Sequence, residues 1–283
     1  MGRYIFMCLI FWCNIVDAQV LKLRARHADA LVGKAFALSI SDSTLTLEKR
    51  EEIIFKEIKN GNVPNFLRKL KKISDTLLNE HGNHEIISYY VVPDYLAIGD
   101  DTDFFYVPMT PILAQRVANL VHCSLPTAKM VDAIYRNATI KLSPQPIPPT
   151  KAMTTVPAFI AHTDSVMRQL QPYIAQHLNG ELTAGNKKDV ILSPKIYTEK
   201  TPKVVIYGWH KPDGKPIQPI YNKHTNLWAD YSHGIRLIQQ SLTISSEGRR
   251  KKSTIAKVLS TQADLLSSEG QIDRPYYPIL SYP

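Results

Sequence analysis

The sequence predicts an α+β fold, in which a mixed or antiparallel sheet from the second half packs against helices and the N-terminal part is mainly helical. Three observations lead there. Apolar residues recur at helical spacing through 46–59, 110–121 and 127–138, giving each segment one stripe to bury. After residue 188, short β-branched and aromatic runs alternate with turn residues such as Pro212-Asp213-Gly214, the pattern of strands joined by hairpins. Between these halves, Pro144, Pro146, Pro148, Pro149 and Pro157 crowd into residues 143–157, where regular structure cannot form. The expected organisation is a signal peptide over 1–18, a helix-rich α/β lobe over 19–142, a proline-rich crossover over 143–157, and a sheet-rich lobe over 158–283. The two lobes are expected to share one continuous fold.

The elements follow in order. Residues 19–42 mix basic and small apolar side chains and suggest a partly ordered arm. A helix over 46–59 places Leu47, Ile54 and Ile58 on one stripe, with Gly61 just past its end. A second helix is expected from Pro64, burying Val63, Phe66, Leu67, Leu70 and Ile73 while Arg68, Lys69, Lys71 and Lys72 stay wet. Residues 85–92, rich in Ile, Tyr and Val, predict a strand, as do residues 104–107. Asp94, Asp100, Asp101 and Asp103 gather around Gly99 and offer oxygens to a hard cation such as calcium, although their spacing matches no EF-hand loop. Helices over 110–121 and 127–138 come next. The second half opens with a helix near 158–178, bent at Pro172 and stopped by Asn179-Gly180. Strands are expected at 189–193, 203–209, 216–220 and 229–238, and a last helix at 254–266.

The N-terminus bears on the compartment. Arg3 is basic, residues 4–16 are almost wholly apolar, and Val16 and Ala18 are small residues preceding Gln19. This apolar run is shorter than the roughly 20 residues a spanning helix needs, and its order is that of a cleavable leader. The protein is therefore expected to be secreted or periplasmic. Removing the leader takes Cys8 and Cys13 with it and leaves Cys123, so no internal disulfide can support the mature fold. A net charge of +9 directs attention to an anionic polymer or glycan of the cell envelope rather than to nucleic acid. The densest basic run, Arg249-Arg250-Lys251-Lys252, suggests a solvated turn.

Candidate chemistry concentrates in residues 204–236. His210, His224 and His233 lie there with Asp230, Tyr207, Trp209, Trp228 and Tyr231: groups that move protons, beside aromatic rings that hold a substrate. On a regular strand from Ala229, Tyr231 and His233 share one face, while Asp230 and Ser232 share the other. That alternation separates Ser232 from His233, and the chain has no G-x-S-x-G elbow. Two mechanisms remain. Cys123 ahead of a helix could be a nucleophile served by a later histidine, an order similar to papain-like and cell-wall amidase folds, whose local motifs are absent. Alternatively His210, His224 and Asp230 or His233 could hold zinc, although no H-E-x-x-H or C-x-x-C occurs. Lys187 and Lys188 could contact an anion or simply solvate a turn. The expectation is a hydrolase of a cell-envelope or extracellular polymer with His233, His224, Asp230, His210 and Cys123 as catalytic candidates. Tyr207, Trp209, Trp228 and Tyr231 are the substrate-binding candidates, no cofactor is required, and zinc is the one that would fit. The alternative is a non-catalytic carbohydrate- or cell-wall-binding protein with an aromatic platform.

Overall fold

A computed structural model describes residues 19–78 and 82–283. The expected signal peptide lies outside the described residues. Two short helices lead, α1 (Gly33–Ser39) and α2 (Leu47–Lys59). The hairpin β1 (Lys71–Leu78) and β2 (His84–Val91) follows, then the small ribbon β3 (Ala97–Gly99) and β4 (Phe104–Tyr106). Next come α3 (Pro111–Leu120), β5 (Cys123–Ser124), α4 (Ala128–Asn137) and β6 (Ile140–Lys141). Beyond the crossover lie α5 (Val156–Leu170), α6 (Ile174–Leu178), β7 (Thr183–Ala184) and β8 (Lys188–Val190). The hairpin β9 (Ile206–His210) and β10 (Pro216–Tyr221) precedes β11 (His233–Gly234), β12 (Ile238–Ser246), β13 (Arg249–Thr254) and α7 (Ile255–Thr261).

Threonines set the starts of four helices. Thr46, Thr110, Thr127 and Thr254 each accept a bond from the amide three residues on, satisfying a donor the helix leaves open. Two larger sheets organise the rest. One has the order β1-β2-β12-β13, with β5 also on β12, all antiparallel; the other, β10-β9-β8-β11, is mixed because β8 and β11 run parallel. The fold is thus α+β. The first sheet takes strands from both ends of the chain, and the buried apolar residues form one cluster from Leu21 to Tyr277.

Several expectations are corrected. The segment after Pro64 is a single 3-10 turn, Asn65–Arg68, followed by β1 rather than a helix. Its helical stripe loses to eight cross-strand pairs with β2, from Lys71↔Val91 to Leu78↔His84. The N-terminal arm is ordered: Leu21 is buried and its amide bonds the Arg68 carbonyl at 2.8 Å. Arg249-Arg250-Lys251-Lys252 is an edge strand, not a turn. Residues 229–232 are not strand, and only His233–Gly234 pairs there.

Arg236 fastens these pieces. Its guanidinium is fully buried, donates to Val92 O at 3.2 Å and Thr183 O at 2.8 Å, and lies 4.1 Å from the Tyr95 ring centroid. Tyr95 in turn donates to Asp189 Oδ2 at 2.7 Å. Gly234 lets β11 pass this group, since a Cβ there would sit 2.4 Å from Tyr95 Cδ1 and 2.6 Å from Lys187 Cβ. Gly234→Ala is expected to destabilise the protein by about 3 kcal/mol through overpacking, measured as a lower urea midpoint. An unchanged midpoint would show that the Tyr95 ring yields freely.

Candidate functional site

The site is built on a turn. The His233 amide bonds the Asp230 carbonyl at 3.0 Å, and Asp230 Oδ1 accepts the Ser232 amide at 2.8 Å and its hydroxyl at 2.5 Å. This Asx arrangement is what aspartate does best locally. It folds the chain back, so Asp230 and His233 meet instead of facing apart: His233 Nε2 lies 3.9 Å from Asp230 Oδ2. The strand alternation expected from Ala229 is corrected by this turn. His233 is 1 % exposed, and neither ring nitrogen makes a hydrogen bond; the Met109 backbone is nearby but outside bonding geometry. Such a group is rare in a folded interior.

Two lysines adjoin the pair. The Lys188 amide bonds Ser232 O at 2.7 Å, and Lys188 is the register partner of His233, so their side chains share a face. Its ammonium stands 4.9 Å from the Trp209 ring centroid. Lys187 points the opposite way into the core, donating to Tyr231 O at 2.7 Å and to His162 Nδ1 at 3.0 Å. His162 Nε2 and Trp209 Nε1, whose rings are 6.3 Å apart, are both buried without a partner. Behind them Tyr231 is bonded through its hydroxyl to the Ile147 amide at 2.7 Å, which ties the proline-rich crossover to the site.

A backbone distortion sorts the aromatic candidates. Gly208 (φ 104) and Trp209 (φ 58) both adopt left-handed conformations, natural for glycine and strained for tryptophan. Tyr207 and His210 consequently share one face, where both donate to Asp132 Oδ1, at 2.9 and 2.8 Å. There His210 also stacks on Tyr135 at 4.5 Å, and these residues line an open bowl of about 440 Å³. Trp209 turns to the Lys188 side. His224 and Trp228 are half-buried and stack at 4.4 Å and 10°, and the Trp228 indole donates to Asp230 Oδ2 at 3.3 Å. The structure therefore brings His233, Asp230, His224, Trp228, Trp209 and Tyr231 together and places His210 and Tyr207 elsewhere.

Cys123 is in β5, buried, with its thiol donating to Val121 O at 3.6 Å. Burial pushes the thiol up to about 12, so it carries no thiolate at neutral pH. Among the described residues, no group of three or more His, Cys, Asp or Glu is arranged to hold a metal ion. The four aspartates around Gly99 bind protein groups: Asp94 meets Tyr106 and His177, Asp100 closes its own turn, Asp101 takes the Phe66 amide, and Asp103 takes the Lys34 amide. Sequence reasoning missed His162 and the burial of Lys187. His162 was detectable, because it falls on the buried stripe Phe159, His162, Thr163, Val166 and Leu170 of α5.

Burial sets the protonation states. It pushes His233 down to about 4, with Lys188 and His224 adding to the shift against the pull of Asp230. Burial and Lys187 hold His162 at about 2, and burial lowers Lys187 itself to about 7. For Asp230, burial pushes upward, but His233, Ser232 and Lys188 outweigh it and leave the carboxyl at about 2. The site at neutral pH is a carboxylate beside a neutral imidazole.

These shifts make stability depend on pH. Below pH 6.5 the unfolded chain protonates His162 and His233 while the folded chain does not, whereas Asp189, raised by burial to about 6, binds its proton earlier when folded. Glu51 is raised by burial and His224 lowered by it, and with the histidines outnumbering the carboxyls, stability should fall as pH drops from 6 toward 4. Lys187, at about 7 folded against 10.5 unfolded, should make stability climb from pH 7 to 10. Urea midpoints across pH 4 to 10 test both segments: Lys187→Met should reduce the alkaline rise, Lys188 and Lys129 keeping a share of it, and a flat profile in the unaltered protein would mean these groups are charged where they lie. No family model matches this chain, and no curated protein or solved structure matches it, so a functional reading rests on the chemistry of the site.

Proposed function

We propose that this protein is a secreted or periplasmic hydrolase acting on a cell-envelope or extracellular polymer, with His233 as general base. One observation carries the reading: a buried, neutral imidazole with both nitrogens unpartnered, set beside an ionised carboxylate. An unpaired buried group costs stability, and such costs gather at working sites. Asp230 Oδ2 faces Nε2 and favours the tautomer protonated there, leaving Nδ1 to take a proton from water. That water adds to the polymer linkage, the bond to the leaving atom breaks, and the leaving group takes back the proton held on the imidazolium. Lys188, whose ammonium lies against the Trp209 ring and interacts electrostatically with the Asp230 carboxylate, stabilises negative charge developing on the attacked group. The half-exposed Trp228 and His224 present the surface on which a substrate ring stacks.

The same stack favours a second reading, a carbohydrate-binding protein without catalysis. Assays of the purified protein on peptidoglycan and on neutral and acidic extracellular polysaccharides separate the two. Cleavage is expected, falling about 10²- to 10⁴-fold in His233→Gln and in Asp230→Asn, and declining in the unaltered protein as pH drops through about 4. Cleavage that survives His233→Gln unchanged would overturn the catalytic reading. Binding without cleavage, lost in Trp228→Ala, would establish the other.

A further inference from the structure

The five-stranded sheet has one face turned to the core, through Ile73, Ile87, Tyr89, Leu242 and Ile244. Its other face is built differently. Cross-strand pairs share a face, and the register runs Ser74↔Ser88, Ser88↔Thr243, Thr243↔Lys252. A second row runs Thr76↔Ile86, Ile86↔Ser245, Ser245↔Arg250. Lys72 lies opposite Tyr90 on the same face. Asp75 and Glu85, paired with Ile87 and Leu77, belong to the core-facing side. The outer face therefore carries hydroxyls and cations, with Tyr90 and the exposed Ile86 and Leu78, and no carboxylate among these strands.

This face is grooved. Between the pairs Ile238↔Val91 and Leu242↔Tyr89, β12 runs four residue steps while β2 runs two, so the strand bulges beside Tyr90. A groove of about 460 Å³ opens there, lined among others by Lys72, Tyr90, Gln239, Ser241, Arg250 and Lys252. The side chains of Lys72, Arg250 and Lys252 make no ion pair or hydrogen bond among the described residues. Gln239 gives its amide to Gln19 Oε1 at 2.8 Å, but its own buried Oε1 has no donor.

We propose that this groove binds an anionic polysaccharide. Uncompensated cations from β1 and β13, on strands about 14 Å apart, meet its carboxylates. The unpartnered Gln239 oxygen accepts from a sugar hydroxyl, and the Tyr90 ring offers an apolar surface to a sugar face. The lining also takes in Gln19, Ser88 and Thr243, so besides Tyr90 and Leu242 it is hydroxyl, amide and cationic, which suits a hydrated chain with sugar faces and carboxylates. The assignment is independent of whether His233 acts as a base.

Strand alternation supplies the control. Arg250 and Lys252 face the groove, whereas Arg249 and Lys251 pair with Ser246 and Ile244 on the other side. Affinity of the full protein for polygalacturonate, measured by calorimetry, should weaken at least about tenfold in Arg250→Gln/Lys252→Gln. Arg249→Gln/Lys251→Gln removes the same charge and should change it less than about threefold. Tyr90→Ala should weaken binding while leaving its salt dependence in place. Neutral dextran should not bind. Equal losses in the two charge pairs, equal binding of dextran, or tighter binding to phosphatidylglycerol vesicles or polyphosphate would each overturn the proposal.

Discussion

The buried guanidinium of Arg236 is the constraint on which the arrangement depends. A charge with no exposure survives only where bonds and rings replace its water, and here the replacements come from distant parts of the chain: Val92 after β2, Thr183 in β7, and the Tyr95 ring. Because Tyr95 also donates to Asp189, the same group couples the antiparallel sheet to the mixed one. Arg236 is three residues from His233 on the segment joining β11 to β12. The frame that orders the core therefore also fixes His233, and a loosened Arg236 would be felt there as a displaced imidazole.

Much of the architecture is legible in sequence wherever local chemistry and tertiary demand agree. The helices α2, α3 and α4 follow their apolar stripes and threonine caps, and β2 follows its Ile, Tyr and Val content. β1 was hidden because Leu70 and Ile73 also fit a helical stripe, and only pairing with β2 decides between the two. The site was partly legible. The density of His, Trp and Asp in 204–236 marks the segment in which Asp230 and His233 meet, but periodicity cannot foresee the turn that joins them or the left-handed backbone that parts Trp209 from Tyr207 and His210. The buried lysine was beyond reach: Lys187 and Lys188 are alike in sequence, and one residue of register sends the first inward and leaves the second half-exposed.

Polar interior groups are distributed unevenly in this protein. Around Asp94 the bonds to Tyr95, Tyr106 and His177 link a structural network. Around Asp230 the carboxylate is bonded, but both His233 nitrogens, His162 Nε2 and Trp209 Nε1 are not. Bonded networks of this kind rigidify, and open donors and acceptors await a partner. The contrast is one of degree, since His177 Nδ1 in the Asp94 network is also buried without a partner.

The basic edge strand has a further consequence, for how copies of this protein behave toward each other. Among the described residues β13 pairs on one side, with β12, and its other row of peptide groups lies at the sheet margin. Such a margin is a template for adding another chain's strand. Its four consecutive side chains Arg249, Arg250, Lys251 and Lys252 are all exposed, so two copies approaching edge to edge would bring eight positive charges into register. Mutual repulsion then keeps the edges apart, and the run of cations protects the protein at high concentration from the strand-to-strand association that its own sheet invites.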